Sequence, residues 1–320
     1  PRGASPRGLA ILSDLKSERH LYAAGNGPKL KKEIANHENV PFDNIIIGNG
    51  SNEILELAAR AFLNPNTSSI ASKHAFAVYK IVTQSAGASM IEVPTCNWGH
   101  DLNSFTDHLE KNTRVIFIAN PNNPTGTYNS HDEVYSLLKK VPSSVLVVLD
   151  CAYFEYVTKE DYVKPIDLLS EFDNLLITKT FSKIHGLASI RVGYGIAHPT
   201  LIEVFNRIRQ PFNVNTLAQA MAEVAINDHE HIHQSIELNS QQYDFLFDQL
   251  SKLGLECIPS VGNFITFKGN FIGKEMFNNL MKKGVIVRSV DLYDMKDFIR
   301  VTIGTEAENL KFLNALKELL

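Results

Sequence analysis

Apolar residues fall along this chain in two rhythms. Short unbroken runs occupy residues 45–47, 69–71, 90–93, 115–119, 145–149, 175–178 and 192–197. Between them lie segments whose apolar positions recur every three or four residues, at 52–63, 77–86, 102–111 and 131–140. The last four runs lack polar alternation, as expected of strands covered on both faces. Repeated strand–helix alternation predicts an α/β fold built on a mostly parallel, doubly wound sheet. Ligands then belong at the carboxyl ends of its strands. After about residue 200 the rhythm changes. Helical patterns at 216–226 and 229–253 lead to short strands near 264–267, 285–287 and 299–302, then to a helix over 306–319. A second, smaller α/β domain is expected there. The chain then divides into residues 1–40, packing with the small domain, 41–210 as the large domain, and 211–320 as an interdomain helix and the small C-terminal domain.

Composition narrows the classes. A net charge of −4 gives no reason to expect nucleic acid. Cys96, Cys151 and Cys257 have neither metal-ligand spacing nor a disulfide framework, which suits a reducing cytoplasm. No run approaches the roughly 18 apolar residues of a membrane span, and the start does not read as a secretory leader.

The informative chemistry stands at the ends of the runs. Run 175–178 leads into Thr180, Ser182 and Lys183, and Arg191 precedes the next run. One amine, two hydroxyls and a guanidinium suit an aldehyde cofactor that carries a phosphate. At residues 47–53 a strand enters a glycine turn and a helix starts, an arrangement that binds phosphate through free N–H groups but is also an ordinary tight turn. Residues 120–126, Asn-Pro-Asn-Asn-Pro-Thr-Gly, form a proline-fixed turn that sets amide side chains at the sheet edge. Asp150 closes an apolar strand, with Tyr153 three residues on. A carboxylate there is costly without a cationic partner, and a protonated pyridine nitrogen would be one; a helix N-cap is the plainer alternative.

In order, Gly50-Ser51-Asn52-Glu53, residues 120–126, Asp150 with Tyr153, and Thr180, Ser182, Lys183, Gly186, Leu187 and Arg191 resemble the pyridoxal-phosphate aminotransferases of fold type I. The resemblance covers essentially the whole chain. Residues 74–79, 209–215, 262–264, 284–288 and 299–305 are similar to the histidinol-phosphate branch of that family. It implies a mostly parallel seven-stranded sheet in the large, cofactor-binding domain, with a smaller α/β C-terminal domain. It also implies pyridoxal 5'-phosphate as cofactor and transamination of histidinol phosphate with 2-oxoglutarate, yielding glutamate, in histidine biosynthesis. Lys183 would carry the Schiff base and shuttle the proton, and Asp150 would pair with the pyridinium. Asn123 and Tyr153 would bond the phenolic oxygen, and Phe76 would stack on the ring. Ser51, Asn52, Thr180, Ser182 and Arg191 would bind the cofactor phosphate. In a homodimer, Tyr22 would reach the cofactor of the partner subunit. Arg288 and Arg300 would hold the substrate phosphate, and Asn263 would help orient the substrate.

Cys151, Ile184-His185 and Ser189 depart from the family's usual residues without removing a reacting group. A family segment resembling Asn-Glu-Asn-Pro, expected just before Pro1, would cover the substrate pocket. Without it the pocket is expected to stand open to solvent above the cofactor, with Pro1–Ser13 mobile. His229, His231 and His233 read as a solvated helix surface rather than a metal site, and His185 as part of the wall. The competing readings are a broad aromatic aminotransferase, a threonine-phosphate decarboxylase, and a non-enzymatic effector-binding module.

Overall fold

The computed structural model describes residues 2–12 and 20–320; Pro1 and Ser13 lie outside them. Helices α1 (Pro6–Ala10) and α2 (Pro28–Glu38) lead to β1 (Ile45–Gly48), α3 (Ser51–Phe62), β2 (Ser68–Ser72), α4 (Val78–Ser85) and β3 (Ser89–Val93). A two-stranded ribbon, β4 (Thr95–Cys96) and β5 (Gly99–His100), precedes α5 (Leu102–Asp107), β6 (Thr113–Ala119), α6 (His131–Lys140), β7 (Leu146–Asp150), β8 (Leu175–Thr180) and β9 (Gly193–Ala197). The seven-stranded sheet has the order β1-β9-β8-β7-β6-β2-β3. Only β9 runs against its neighbours, β1 and β8. Each central strand is buried along its whole length because helices cover both faces. One apolar layer joins Ile116, Ile118, Val147, Leu149 and Ile177 to α6 and α8 (Thr216–Ala225). The other joins Phe117, Val148 and Leu176 to α3 and to α7 (Pro199–Ile208).

The second sheet is antiparallel. Long α9 (His229–Lys252) leads to β10 (Glu256–Ile258), β11 (Phe264–Lys268), α10 (Gly273–Lys282), β12 (Arg288–Ser289), β13 (Phe298–Thr302) and α11 (Glu306–Lys317). Strand order is β10-β11-β13-β12. Leu246 and Leu250 of α9 pack with Phe267, Ile299, Phe312 and Leu316 in a separate core. Thr305 and Glu308 close a capping box at the head of α11, satisfying two N–H groups that the helix cannot pair internally.

Within residues 1–40, Leu30, Ile34 and Ala35 of α2 belong to the core under the large sheet, while Ser5 is hydrogen-bonded to Asp228 at the head of α9. The apolar stripe of α2 meets Ile45 and Ile47 of β1, the nearest apolar surface along the chain. The strand expected at 285–287 forms instead at Arg288–Ser289, because pairing with β13 begins only at Arg288 and Ile286 is left exposed.

Candidate active site

The strand ends meet in one cleft of about 180 Å3, lined by Ser51, Asn52, Phe76, Ala119, Pro121, Asn123, Asp150, Ala152, Tyr153, Thr180, Ser182, Lys183 and Arg191. Four parallel strands deliver most of these groups on one edge. β2 leads to Phe76, β6 to Asn123, β7 ends in Asp150, and β8 ends in Thr180. The direction of the chain turns between β2 and β6, where an open α/β sheet leaves a crevice.

The floor under Ser51 depends on two glycines. Gly50 caps α3 at φ +80° and offers no side chain to its free N–H groups. A Cβ on Gly50 would lie 2.4 Å from the Arg191 guanidinium, and one on Gly193 would lie 2.4 Å from the backbone nitrogen of Ser51. Strand β9 thus presses the α3 N-terminus and Arg191 together. Arg191 sits in the left-handed region at φ +63°. Its guanidinium donates to Ser182 Oγ at 3.3 Å and to the Ala188 carbonyl at 2.9 Å. A helix N-terminus, three hydroxyls and a guanidinium that, among the described residues, has no carboxylate within salt-bridge distance are groups able to hold a phosphate.

Asp150 is buried at the back of the cleft. Tyr79 Oη donates to one carboxylate oxygen and Thr178 Oγ1 to the other, each at 3.0 Å. Burial raises its pKa above the usual aspartate value, while those hydrogen bonds, the Ala152 N–H and the Lys183 charge pull it back. A cationic N–H facing it from the cleft would complete its pairing. Lys183 Nζ stands 5.1 Å above the Tyr153 ring.

A second cavity of about 290 Å3 shares Lys183, Tyr153 and Ser182 with the first. It adds Asn263, Phe264 and Arg300 from the small sheet, Ser235 and Asn239 from α9, and Arg2 and Gly3 from the N-terminal segment. Arg2 and Gly3 thus wall part of the space above Lys183. Arg300 donates to Asn123 Oδ1, and its guanidinium lies 4.8 Å from the Phe264 ring centre. The expected Asn123 is thus in place, but its amide oxygen is engaged by Arg300. Asn263 hydrogen-bonds the Tyr156 hydroxyl. Arg288 is exposed and does not line the cavity, yet it pairs in register with Arg300 across β12 and β13. Burial raises the pKa of the Tyr293 hydroxyl above its usual value, and the charges of Arg300 and Arg288 pull it part of the way back. Tyr22 lines neither cavity. It is 84% exposed and stacks on Phe212 at 4.7 Å, in a groove that also holds Ser189 and Ile190.

The model of the family "Aminotransferase class I and II" matches residues 6–316. The chain belongs to this family.

Among curated relatives, histidinol-phosphate aminotransferase 2 of Pseudomonas fluorescens (strain Pf0-1) is 47% identical over 320 residues, spanning 100% of this chain and 86% of the relative. Histidinol-phosphate aminotransferase of Methylobacillus flagellatus is also 47% identical, with the same coverage. The solved histidinol-phosphate aminotransferase of Sinorhizobium meliloti, in complex with pyridoxal-5'-phosphate, shares the fold with a TM-score of 0.93 at 23% identity. It covers 99% of this chain and 89% of that chain.

This aminotransferase also uses residues that the sequence pattern did not single out. Tyr79 and Thr178 hold Asp150. The stretch 228–233, expected to be solvated, is partly internal: Asp228 and His231 are buried. Asp228 accepts from Ser5 Oγ at 2.5 Å, and His231 Nε2 reaches the Ile184 carbonyl at 3.2 Å, beside Lys183. His185 is buried against the Ala225 carbonyl, and burial lowers its pKa to about 3. A helix-face count could have flagged His231 as inward, because it lies off the stripe shared by His229 and His233.

Proposed function

We propose that the protein transfers the amino group of L-histidinol phosphate to 2-oxoglutarate, giving imidazole-acetol phosphate and L-glutamate, as a step of histidine biosynthesis in the cytoplasm. Its cofactor is pyridoxal 5'-phosphate. The residues present fit that group: Gly50 and Gly193 let the α3 N-terminus and Arg191 come together where a Cβ would force them apart, and the side chains that donate to buried Asp150 are the neutral hydroxyls of Tyr79 and Thr178. Once bound, pyridoxal phosphate supplies an electron sink that makes the hydrogen on the amine-bearing carbon labile. Asp150 keeps the ring nitrogen protonated. Ser51, Asn52, Thr180, Ser182 and Arg191 hold the cofactor phosphate. Phe76 would cover the ring, and Asn123 and Tyr153 would bond the phenolic oxygen. Lys183 would anchor the group, and its Nζ would take up and hold the proton from the amine-bearing carbon of the substrate.

The observation that carries the substrate assignment is the pairing of Arg288 with Arg300. Like charges directly opposite one another destabilise a strand pair. Among the described residues neither has a carboxylate within salt-bridge distance. Two forked donors without a counter-charge suit a phosphate dianion. The names of the relatives that are 47% identical support the same substrate.

The second half of the proposal is a two-fold homodimer in which Tyr22 reaches the partner's cofactor phosphate. Its support is the exposure of Tyr22 outside its own cleft and its stacking on exposed Phe212. Turnover of histidinol phosphate, histidinol, phenylalanine and threonine phosphate, measured in parallel, tests the reading. Histidinol phosphate should have the highest kcat/KM. Equal activity on histidinol and its phosphate would overturn the substrate assignment, and a monomer by light scattering would overturn the dimer.

A further inference from the structure

The cavity around Lys183 holds a cation that the reaction above does not use. Arg2 lines it together with Lys183, Asn263 and Arg300. Arg2 is brought there because its segment is fastened at two points. The Gly3 carbonyl packs on Gly186 so closely that a Cβ on Gly186 would lie 2.1 Å from the oxygen. Ser5 Oγ donates to Asp228 Oδ2 at 2.5 Å, at the head of α9. The Arg2 guanidinium donates to Gln234 Oε1, one residue before the cavity residue Ser235. Among the described residues it has no carboxylate within salt-bridge distance. A neutral amide orients an arginine without cancelling its charge.

The two substrates of the proposed reaction differ at one end. Each carries an anion next to the amine-bearing carbon, a phosphate ester in histidinol phosphate and a carboxylate in glutamate. At the far end, histidinol phosphate has an imidazole and glutamate a second carboxylate. With Arg288 and Arg300 committed to the near anion, the far carboxylate needs another cation or stays unpaired in the cavity, which is costly. We propose that Arg2 binds the far carboxylate of glutamate and 2-oxoglutarate, and so admits a dicarboxylate to a site whose other substrate is a phosphate ester. This rests on the transamination reading above. Because Arg2 is exposed and, among the described residues, is held by an amide and not by a carboxylate, its long side chain swings clear when an imidazole occupies the same end.

The two half-reactions of the holoenzyme are separable by the absorbance change of the cofactor. Arg2→Gln should lower kcat/KM for glutamate by about tenfold, the worth of one charge-assisted contact. Norvaline, which has the same carbon chain without the far carboxylate, and histidinol phosphate should change by less than about twofold, as they make no such contact. Arg2→Lys should restore most of the glutamate rate. Binding of unreactive glutarate should weaken in parallel in Arg2→Gln, while that of butyrate should hold. Equal loss for glutamate, norvaline and histidinol phosphate, or no loss for any, overturns the proposal. If the unaltered enzyme is inert toward histidinol phosphate, the substrate reading falls, yet the glutamate–norvaline comparison still decides the role of Arg2.

Discussion

The two walls of the cleft are built on different physical terms. The wall from the seven-stranded sheet is buried and internally paired: Asp150 accepts from Tyr79 and Thr178, and the Ser182 N–H donates to Thr180 Oγ1 at 3.1 Å. The wall from the four-stranded sheet presents Arg300 of β13, with Arg288 of the two-residue strand β12 opposite it in register outside the cavity, and among the described residues neither has a carboxylate within salt-bridge distance. The first is preorganised before any substrate arrives, and such groups act mainly on the transition state. The second is completed only by an anion. The first wall should therefore set the rate and the second the selectivity.

The strongest way to break this division is at Lys183. Lys183→Ala should cut turnover by about a thousandfold or more, because both the anchor and the proton carrier are lost. Histidinol phosphate should still bind within a few-fold of normal, as read by single-turnover kinetics and equilibrium titration. Turnover near normal would remove Lys183 from the chemistry.

Asp150→Asn comes next. It should lower kcat by about a hundredfold with little change in substrate affinity, since it weakens the electron sink rather than a substrate contact. A loss confined to KM would move Asp150 to the other wall.

The second wall is probed by Arg300→Gln. Removing one forked contact while the phosphate stays charged should cost about 2 kcal/mol, or roughly thirtyfold in kcat/KM for histidinol phosphate. Histidinol should lose far less. The same loss for both would show that Arg300 supports the fold and does not read the phosphate.

Acid gives the smallest expected effect and sharpens the comparison. His100 lies behind the first wall, with Nε2 donating to the Ala119 carbonyl at 2.8 Å and Nδ1 accepting from Ser72 Oγ at 2.6 Å. Burial lowers its pKa to about 4, and that of His185 to about 3. Both fold neutral but take up a proton when unfolded. Their contribution is thus full above an unfolded pKa of roughly 6.5 and is lost as pH falls toward 4. Each should cost about 1 kcal/mol by pH 5.5. No histidine follows His233 in the sequence, so the four-stranded sheet lacks such a group. Amide exchange between pH 7 and 5 should loosen the large sheet first, and His100→Gln should flatten the response. Earlier loosening of the small sheet would contradict the assignment.

The first wall was the more legible in the sequence, because its signals are local. Asp150 ends its own apolar run, residues 120–126 form one string, and Thr180, Ser182 and Lys183 adjoin a single strand. What stayed hidden depends on pairing between distant segments. Nothing near Tyr79 announces that its hydroxyl meets Asp150, 71 residues away. The register of Arg288 opposite Arg300 is fixed by β12, too short to leave a periodic trace. The sequence pattern predicts no helix at α2, α7 or α10, although each has an apolar face on a core. Asp228 and His231 read as surface because polar composition hides the contacts of α9 with the N-terminal segment and with Ile184.

Gly193 shows how narrow sequence space becomes where strand meets helix. A methyl group there would press on the Ser51 nitrogen, the Gly50 carbonyl carbon and the Lys179 carbonyl oxygen, all of them main chain. Side chains can repack around an intruder, whereas three backbone segments in adjacent elements cannot yield separately. A saturation library at 193 should hence return a single tolerated residue, while position 195, whose would-be methyl has the side chains of Ile54, Ile46 and Leu176 as its nearest neighbours, should accept alanine in backgrounds with a trimmed neighbour. Two glycines of one strand, two residues apart, are thereby under unlike constraints: one answers to the polypeptide scaffold itself, the other to negotiable packing.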